Sequence, residues 1–168
     1  NARIHQAAPL TLAEIEELFA AHIETKQIVA WDTRERAAVA REEDCFYALT
    51  LAERALKKFE PAKLTAAVLD GVRDLGLRAL PWSDELESLR SRAAFARKLE
   101  PDAAWPDLSD DALLATLDAW LQPFLGSVTR ANDFARIDLT AAVTSLFDWE
   151  KKKRLDAIAP THIAVPSG

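Results

Sequence analysis

The sequence predicts an α+β protein that is predominantly α-helical: a multi-helix bundle with a small N-terminal antiparallel β-subdomain, joined by a C-terminal strand. Three observations predict it. From residue 61 onward, apolar residues recur at helical spacing between capping residues and helix stops. Between residues 26 and 52 the chain is instead β-rich. Glycine occurs only 4 times, few for an all-β protein with many tight turns, while the abundant Ala, Leu, Glu, Asp and Arg favour helix. The expected division is 1–60, a helix plus a small β-meander, and 61–168, a helical part ending in a strand.

In chain order, Arg3–Ala7 reads as a short strand. Thr11 and Glu14 then form a capping box, with Leu10 and Ile15 placed for a hydrophobic staple. Ile15, Leu18, Phe19 and Ile23 line one face of the helix that follows. Lys26–Asp32 is β-rich, Thr33–Arg36 is a polar turn, and Ala37–Arg41 and Phe46–Ala52 continue the extended pattern. Pro61 suits a first helical position, Leu64, Val68, Val72 and Leu75 form a stripe, and Gly76 is its stop. Ser83 caps the next helix, with Asp84 and Glu85 at the favourable end of its dipole and Leu86, Leu89, Ala93 and Phe95 as its apolar side. Ser109 caps a helix expected to run through Leu113, Leu117, Trp120, Leu121 and Phe124 to Gly126. Asn132–Ile137 reads as a short helical turn. Asp138 starts a helix bearing Leu139, Val143, Leu146 and Phe147, and Pro160 closes that region. Residues Thr161–Val165 alternate like a strand.

The totals narrow the function classes. At 168 residues with 49% hydrophobic and 29% charged side chains, the chain can bury a core. A single Cys excludes an internal disulfide and a Cys-based metal cluster, and with no export pattern it predicts a cytoplasmic setting. No apolar run approaches the ~18 residues needed to span a bilayer. The absence of any Met, with Asn1-Ala2 reading as the remnant of a cleaved tag, predicts an excised piece of a longer polypeptide. The net charge of −6 argues against strong autonomous nucleic-acid binding, which draws on basic surplus, but leaves room for a local basic strip.

Motifs for chemistry are absent. Neither G-x-x-x-x-G-K-[ST] nor G-x-G-x-x-G occurs, and His5, His22 and His162 share no ligand spacing. Glu16-Glu17, Glu42-Glu43-Asp44 and Asp110-Asp111 sit in polar runs or first helical turns, where solvation or capping explains them. Cys45 follows an acid, which raises a thiol pKa, so it reads as a small buried hydrophobe. Two features carry more. Lys151, Lys152, Lys153 and Arg154 follow Trp149, and read either as a solvated helix end whose cations complement the C-terminal dipole or as a phosphate contact. Of the five tryptophans, Trp82, Trp105 and Trp120 suit corners between packed elements, while Trp31 and Trp149 are open to either a packing or a base-stacking role.

Three stretches taken in order carry a resemblance: Gly71-Val-Arg-Asp-Leu-Gly-Leu-Arg-Ala-Leu-Pro-Trp82, Trp105-Pro-Asp-Leu-Ser-Asp-Asp-Ala-Leu-Leu-Ala-Thr-Leu-Asp-Ala-Trp120, and Leu146-Phe-Asp-Trp-Glu150 with Arg154 to Gly168. They resemble the C-terminal accessory region of HrpB-type bacterial ATP-dependent helicases of the DEAH/RHA group, strongly from residue 61 and loosely before it. The resemblance implies a non-catalytic region, with an OB-like β-subdomain, packed on an ATP-hydrolysing motor core and flanking its nucleic-acid channel. Its partners would be the remainder of the helicase chain and nucleic acid, RNA above DNA. ATP and Mg would belong to the parent core, and none of the family's ATPase residues maps here. The contact residues to expect are Lys151, Lys152, Lys153, Arg154 and Trp149. Two departures stand out: relatives are arginine-rich where this chain has acidic Arg41-Glu-Glu-Asp-Cys45, and have Gln and Arg where it has Lys151–Lys153. The alternative is a helical protein-interaction module without nucleic-acid contact, marked by a large exposed apolar patch; a free-standing carboxylate hydrolase would need a pocket with perturbed acids.

Overall fold

The computed structural model describes residues 9–161. The expected strand over Arg3–Ala7 lies outside them, as does the expected C-terminal strand beyond Thr161. Within them the chain is a helical bundle with a small antiparallel sheet on one side, the α+β arrangement expected.

Helix α1 spans Leu12–Leu18. Its capping box is formed: the Thr11 hydroxyl accepts from the Glu14 amide at 3.3 Å, and the Glu14 carboxylate accepts from the Thr11 amide at 2.8 Å. A three-stranded meander follows, β1 (Ile23–Asp32), β2 (Ala37–Phe46) and β3 (Leu49–Ala55), in the order β1-β2-β3. At the first turn Asp32 accepts the amides of Arg34 and Glu35, both at 2.9 Å.

The second hairpin corrects the expected boundaries. Strand β2 runs straight through Glu42-Glu43-Asp44, and the turn falls at Tyr47-Ala48, inside the stretch Phe46–Ala52 expected to be extended. An acidic run survives in a strand because alternation deals its carboxylates to two faces, each with a partner. On one face Glu42 accepts from Gln27 (3.1 Å) and Arg54 (3.0 Å), while Asp44 accepts from Thr25 and Arg54, both at 2.6 Å. On the other, Glu43 is buried and paired with Arg41 at 2.6 Å.

Helix α2 (Pro61–Leu75) lies between this sheet and the rest. Gly76, with φ 77°, ends it. Trp31 of β1 lies over Gly71 so closely that a Cβ there would fall under 3.0 Å from three ring carbons. Its indole donates to Asp74 at 3.2 Å and its ring stacks on buried Phe134 at 6.1 Å. Trp31 therefore packs. A second tie is backbone: Ala38 donates to the Thr129 carbonyl (2.7 Å) and Ala131 to that of Arg36 (2.9 Å).

The core is contiguous, from Val68, Leu69 and Val72 of α2 through Leu86, Ala93 and Ala96 of α3 (Asp84–Leu99) to Phe134, Val143 and Leu155. Phe95, expected on the inner face of α3, is half exposed; Ala96 takes the inward place. The helix expected from Ser109 to Gly126 is broken into α4 (Asp110–Ala115), α5 (Leu117–Trp120) and a 3₁₀ turn at Gln122–Phe124. The Leu113 carbonyl, which a continuous helix would give to the amide of residue 117, instead accepts from the Thr116 amide at 3.3 Å and from the Trp120 indole at 2.9 Å. Thr116 bonds back to Ala112 at 2.8 Å, and Pro123 lacks a donor. The inward residues Leu113, Leu117, Trp120 and Leu121 are all buried regardless. Beyond Asp138 the expected helix is again two: α6 (Leu139–Thr144) and α7 (Trp149–Ile158), the second with its own N-cap, Asp148.

Candidate nucleic-acid interface

The predicted contact residues all lie on α7, and the cations are not at the C-terminal end that the solvated-helix-end reading required. Asp148 caps the helix by accepting the Lys151 amide at 2.7 Å, so Lys151–Arg154 are the third to sixth of its ten residues. Three of the four cations, Lys151–Lys153, therefore lie in the half of the helix whose dipole is positive, where cations are disfavoured, and Arg154 falls just past the midpoint. Dipole complementarity cannot account for the run.

The four side chains separate into two kinds. Lys151 turns back to Asp148 at 3.0 Å, and that carboxyl is held below its ordinary 3.8, chiefly by the Lys151 amide and then by its ammonium. Arg154 crosses to Glu100 at the end of α3, donating from Nε at 3.0 Å and also from Nη2. The guanidinium holds the Glu100 carboxyl below its ordinary 4.5. Lys151 thus completes the cap of its own helix, while Arg154 fastens α7 to α3 alongside Arg92 of α3, which binds Asp156 and the Ala159 carbonyl. Lys152 and Lys153 are exposed and have no ion pair among the described residues. Lys153 instead lies over the Trp149 ring, its ammonium 5.3 Å from the centroid, and Trp149 is 72% exposed. An exposed indole carrying the Lys153 ammonium over its ring, with the exposed Lys152 on the same helix, suits a base to stack and a phosphate to neutralise.

Sequence inspection missed Glu100 and Asp148 as the groups that take two of the four cations. Asp148 was findable, since an Asp three residues before Lys151 is an N-cap spacing. Glu100 was not, lying 54 positions from its partner.

The other candidates resolve as packing. Trp105 and Trp120 are buried, and Trp82 donates to the Leu77 carbonyl at 2.8 Å. A surface cleft beside Trp82 holds Arg78, Arg90 and Arg97, but Glu87, Asp107 and Asp110 balance them, and Arg97 meets Asp107 at 2.6 Å. Cys45 is buried with a free thiol. His22 stacks on Tyr47, while His5 and His162 lie outside the described residues. Among the described residues no cluster of three His, Cys, Asp or Glu side chains is placed to hold a metal ion, and no helix is long and apolar enough to cross a membrane.

Comparison with known proteins supplies the context. Residues 120–168 match the family model HrpB_C, the ATP-dependent helicase C-terminal family. All 168 residues align with the ATP-dependent RNA helicase HrpB of Escherichia coli K12 at 33% identity, covering 21% of that protein. Two E. coli HrpB crystal structures, described as a DExH-box NTPase and as a DEAH/RHA helicase, superpose with TM-scores of 0.65 and 0.64 at 32% and 31% identity; they cover 95% and 99% of this chain and 20% of each of theirs. The chain thus spans about a fifth of the length of these relatives. Its C-terminal region matches the HrpB_C family, and the chain is homologous to the E. coli DEAH/RHA helicase HrpB.

Proposed function

We propose that this chain is the non-catalytic C-terminal accessory region of an ATP-dependent RNA helicase, that it packs on the motor core, and that Trp149, Lys152 and Lys153 flank the nucleic-acid path. The observation that carries the proposal is similarity to an RNA helicase along the whole chain. ATP and Mg act on the motor domains of the parent protein, and this chain supplies brace and flank. Residues 1–60 and 61–168 serve as its two parts, the first an OB-like sheet subdomain. A cytoplasmic setting suits the free, buried Cys45.

The contact is supported by Lys151–Lys153 in the dipole-positive half of α7 and by the exposure of the Trp149 ring. Anisotropy of labelled single-stranded RNA, at low and physiological salt, tests it. Changing Lys152 and Lys153 to Gln removes two phosphate contacts, so the log–log salt slope falls by about 1.4, at ~0.7 per contact. No binding at low salt would sink the contact and leave a structural brace.

A second reading, a protein-interaction module with no nucleic-acid contact, is favoured by one observation. Among the described residues, five of the nine exposed large hydrophobics (Leu10, Leu12, Leu18, Tyr47 and Leu49) belong to α1, the residues leading into it and the β2–β3 hairpin.

A further inference from the structure

We propose that the acidic, apolar tip of the sheet docks this region onto the rest of its own polypeptide, against a basic surface with an apolar recess. The inference rests on the accessory-region reading and names the surface that does the packing.

The tip is built but unfinished. Helix α1 is seven residues long and buries none of them; helices this short are marginal in water without tertiary packing. Its end is nonetheless fixed to the hairpin by aromatic contacts. Phe19 meets Phe46 at 5.1 Å, Phe46 meets Tyr47 at 4.8 Å, and His22 stacks on Tyr47 at 6.2 Å. Around this cluster Leu18, Tyr47 and Leu49 are 66%, 72% and 60% exposed. Large apolar side chains grouped around an aromatic cluster, uncovered by any described residue, suit an interaction site.

Tyr47 strengthens the case. With φ at 52° it occupies the left-handed region at a two-residue hairpin turn, a position that favours Gly or Asn. A large aromatic held there, pointing mostly into solvent, is disfavoured locally, and such outliers concentrate where a contact uses them.

Charge selects the occupant. Leu10–Thr25 contains four glutamates, Glu14, Glu16, Glu17 and Glu24, and no lysine or arginine. RNA is excluded by repulsion from its phosphates, and a second copy by the meeting of like charges. A basic protein surface is attracted. Because the chain is only about a fifth of the length of its helicase relatives, the rest of the polypeptide is present at high effective concentration.

The test is photo-cross-linking in the full-length helicase, with Tyr47→p-benzoylphenylalanine in one variant and Leu99→p-benzoylphenylalanine, on the exposed side of α3, in another. The expected result is an intramolecular cross-link from position 47 to a Lys/Arg-rich peptide outside residues 1–168, reduced at least fivefold by Glu16→Lys with Glu17→Lys. A cross-link from 47 confined to residues 1–168, reaching RNA or reaching a second copy would overturn the proposal, as would insensitivity to the charge reversal. If position 99 reaches the rest of the chain and 47 does not, the tip is wrong and the accessory reading stands. If neither does, both fall.

Discussion

The contact between Trp31 and Gly71 predicts a substitution whose sign depends on its background. In an unobstructed helix interior, Gly→Ala stabilises by about 1 kcal/mol, since alanine restricts the unfolded chain. At position 71 the new methyl would meet Cδ2, Cε2 and Cε3 of Trp31 under 3.0 Å. The ring has little room to yield, being stacked on Phe134 and hydrogen-bonded to Asp74. Overpacking of this kind costs about 1–3 kcal/mol. Gly71→Ala alone is therefore net destabilising by about 0–2 kcal/mol. Trp31→Ala removes a half-buried indole, and a large loss is expected of it, at the lower end of the ~3–5 kcal/mol typical of buried aromatics. In that background the obstruction is gone, so Gly71→Ala should stabilise by about 1 kcal/mol.

The double-mutant cycle isolates the effect: the coupling is the difference between those two responses, about 1–3 kcal/mol. Urea denaturation of the four proteins, read by far-UV circular dichroism, measures it. Coupling within ~0.5 kcal/mol of zero would refute the claim that Trp31 and Gly71 lock the sheet to the bundle.

Three further outcomes are expected. Trp120→Phe removes the indole donor to the Leu113 carbonyl, which keeps the Thr116 amide, and should cost about 0.5–1.5 kcal/mol in the same urea assay; a neutral result would mean that this bond does not sustain the break between α4 and α5. Arg154→Gln should lower the melting temperature through loss of the Glu100 pair while leaving RNA affinity close to wild type, the reverse of the Lys152/Lys153 double change. Stability should fall on acidification. Asp44, Glu100 and Asp148 are held below their ordinary values of 3.8, 4.5 and 3.8 by Arg54, Arg154 and the Lys151 amide respectively, so their contributions are complete above those values and lost as pH falls through and below them. Melting temperatures from pH 7 to 3 should show that limb, shallower in Asp44→Asn.

Elements with local signatures were legible in the sequence. The Thr11 box, Pro61 with Gly76, and the Ser83 and Ser109 caps all mark real boundaries. The inward stripe Leu113, Leu117, Trp120 and Leu121 was also readable, because burial follows spacing even where the backbone breaks. Hidden features were those set by partners distant in the chain. No local signal showed that Leu113 would give its carbonyl to an indole seven residues on, nor that a hairpin would turn at Tyr47-Ala48 without Gly or Asn. Likewise, β2 accepts three consecutive acids only because Thr25, Gln27, Arg41 and Arg54 meet them.

The candidate interface shows the same limit from the side of charge. A net charge of −6 argued for weak contact with nucleic acid, yet the total conceals two local surfaces of opposite character. Leu10–Thr25 carries four acids and no base, while Asp148–Arg154 carries four cations against two acids. Within the second, Asp148 and distant Glu100 take Lys151 and Arg154, leaving Lys152 and Lys153 without an ion pair among the described residues, Lys153 over the Trp149 ring. In the proposed contact a phosphate would meet this remainder, not the composition, because fields between exposed charges fade over ~8–10 Å at physiological salt. The two proposed contacts, a basic protein surface at the tip and RNA at α7, would each use one of these surfaces, and an acidic total is compatible with both.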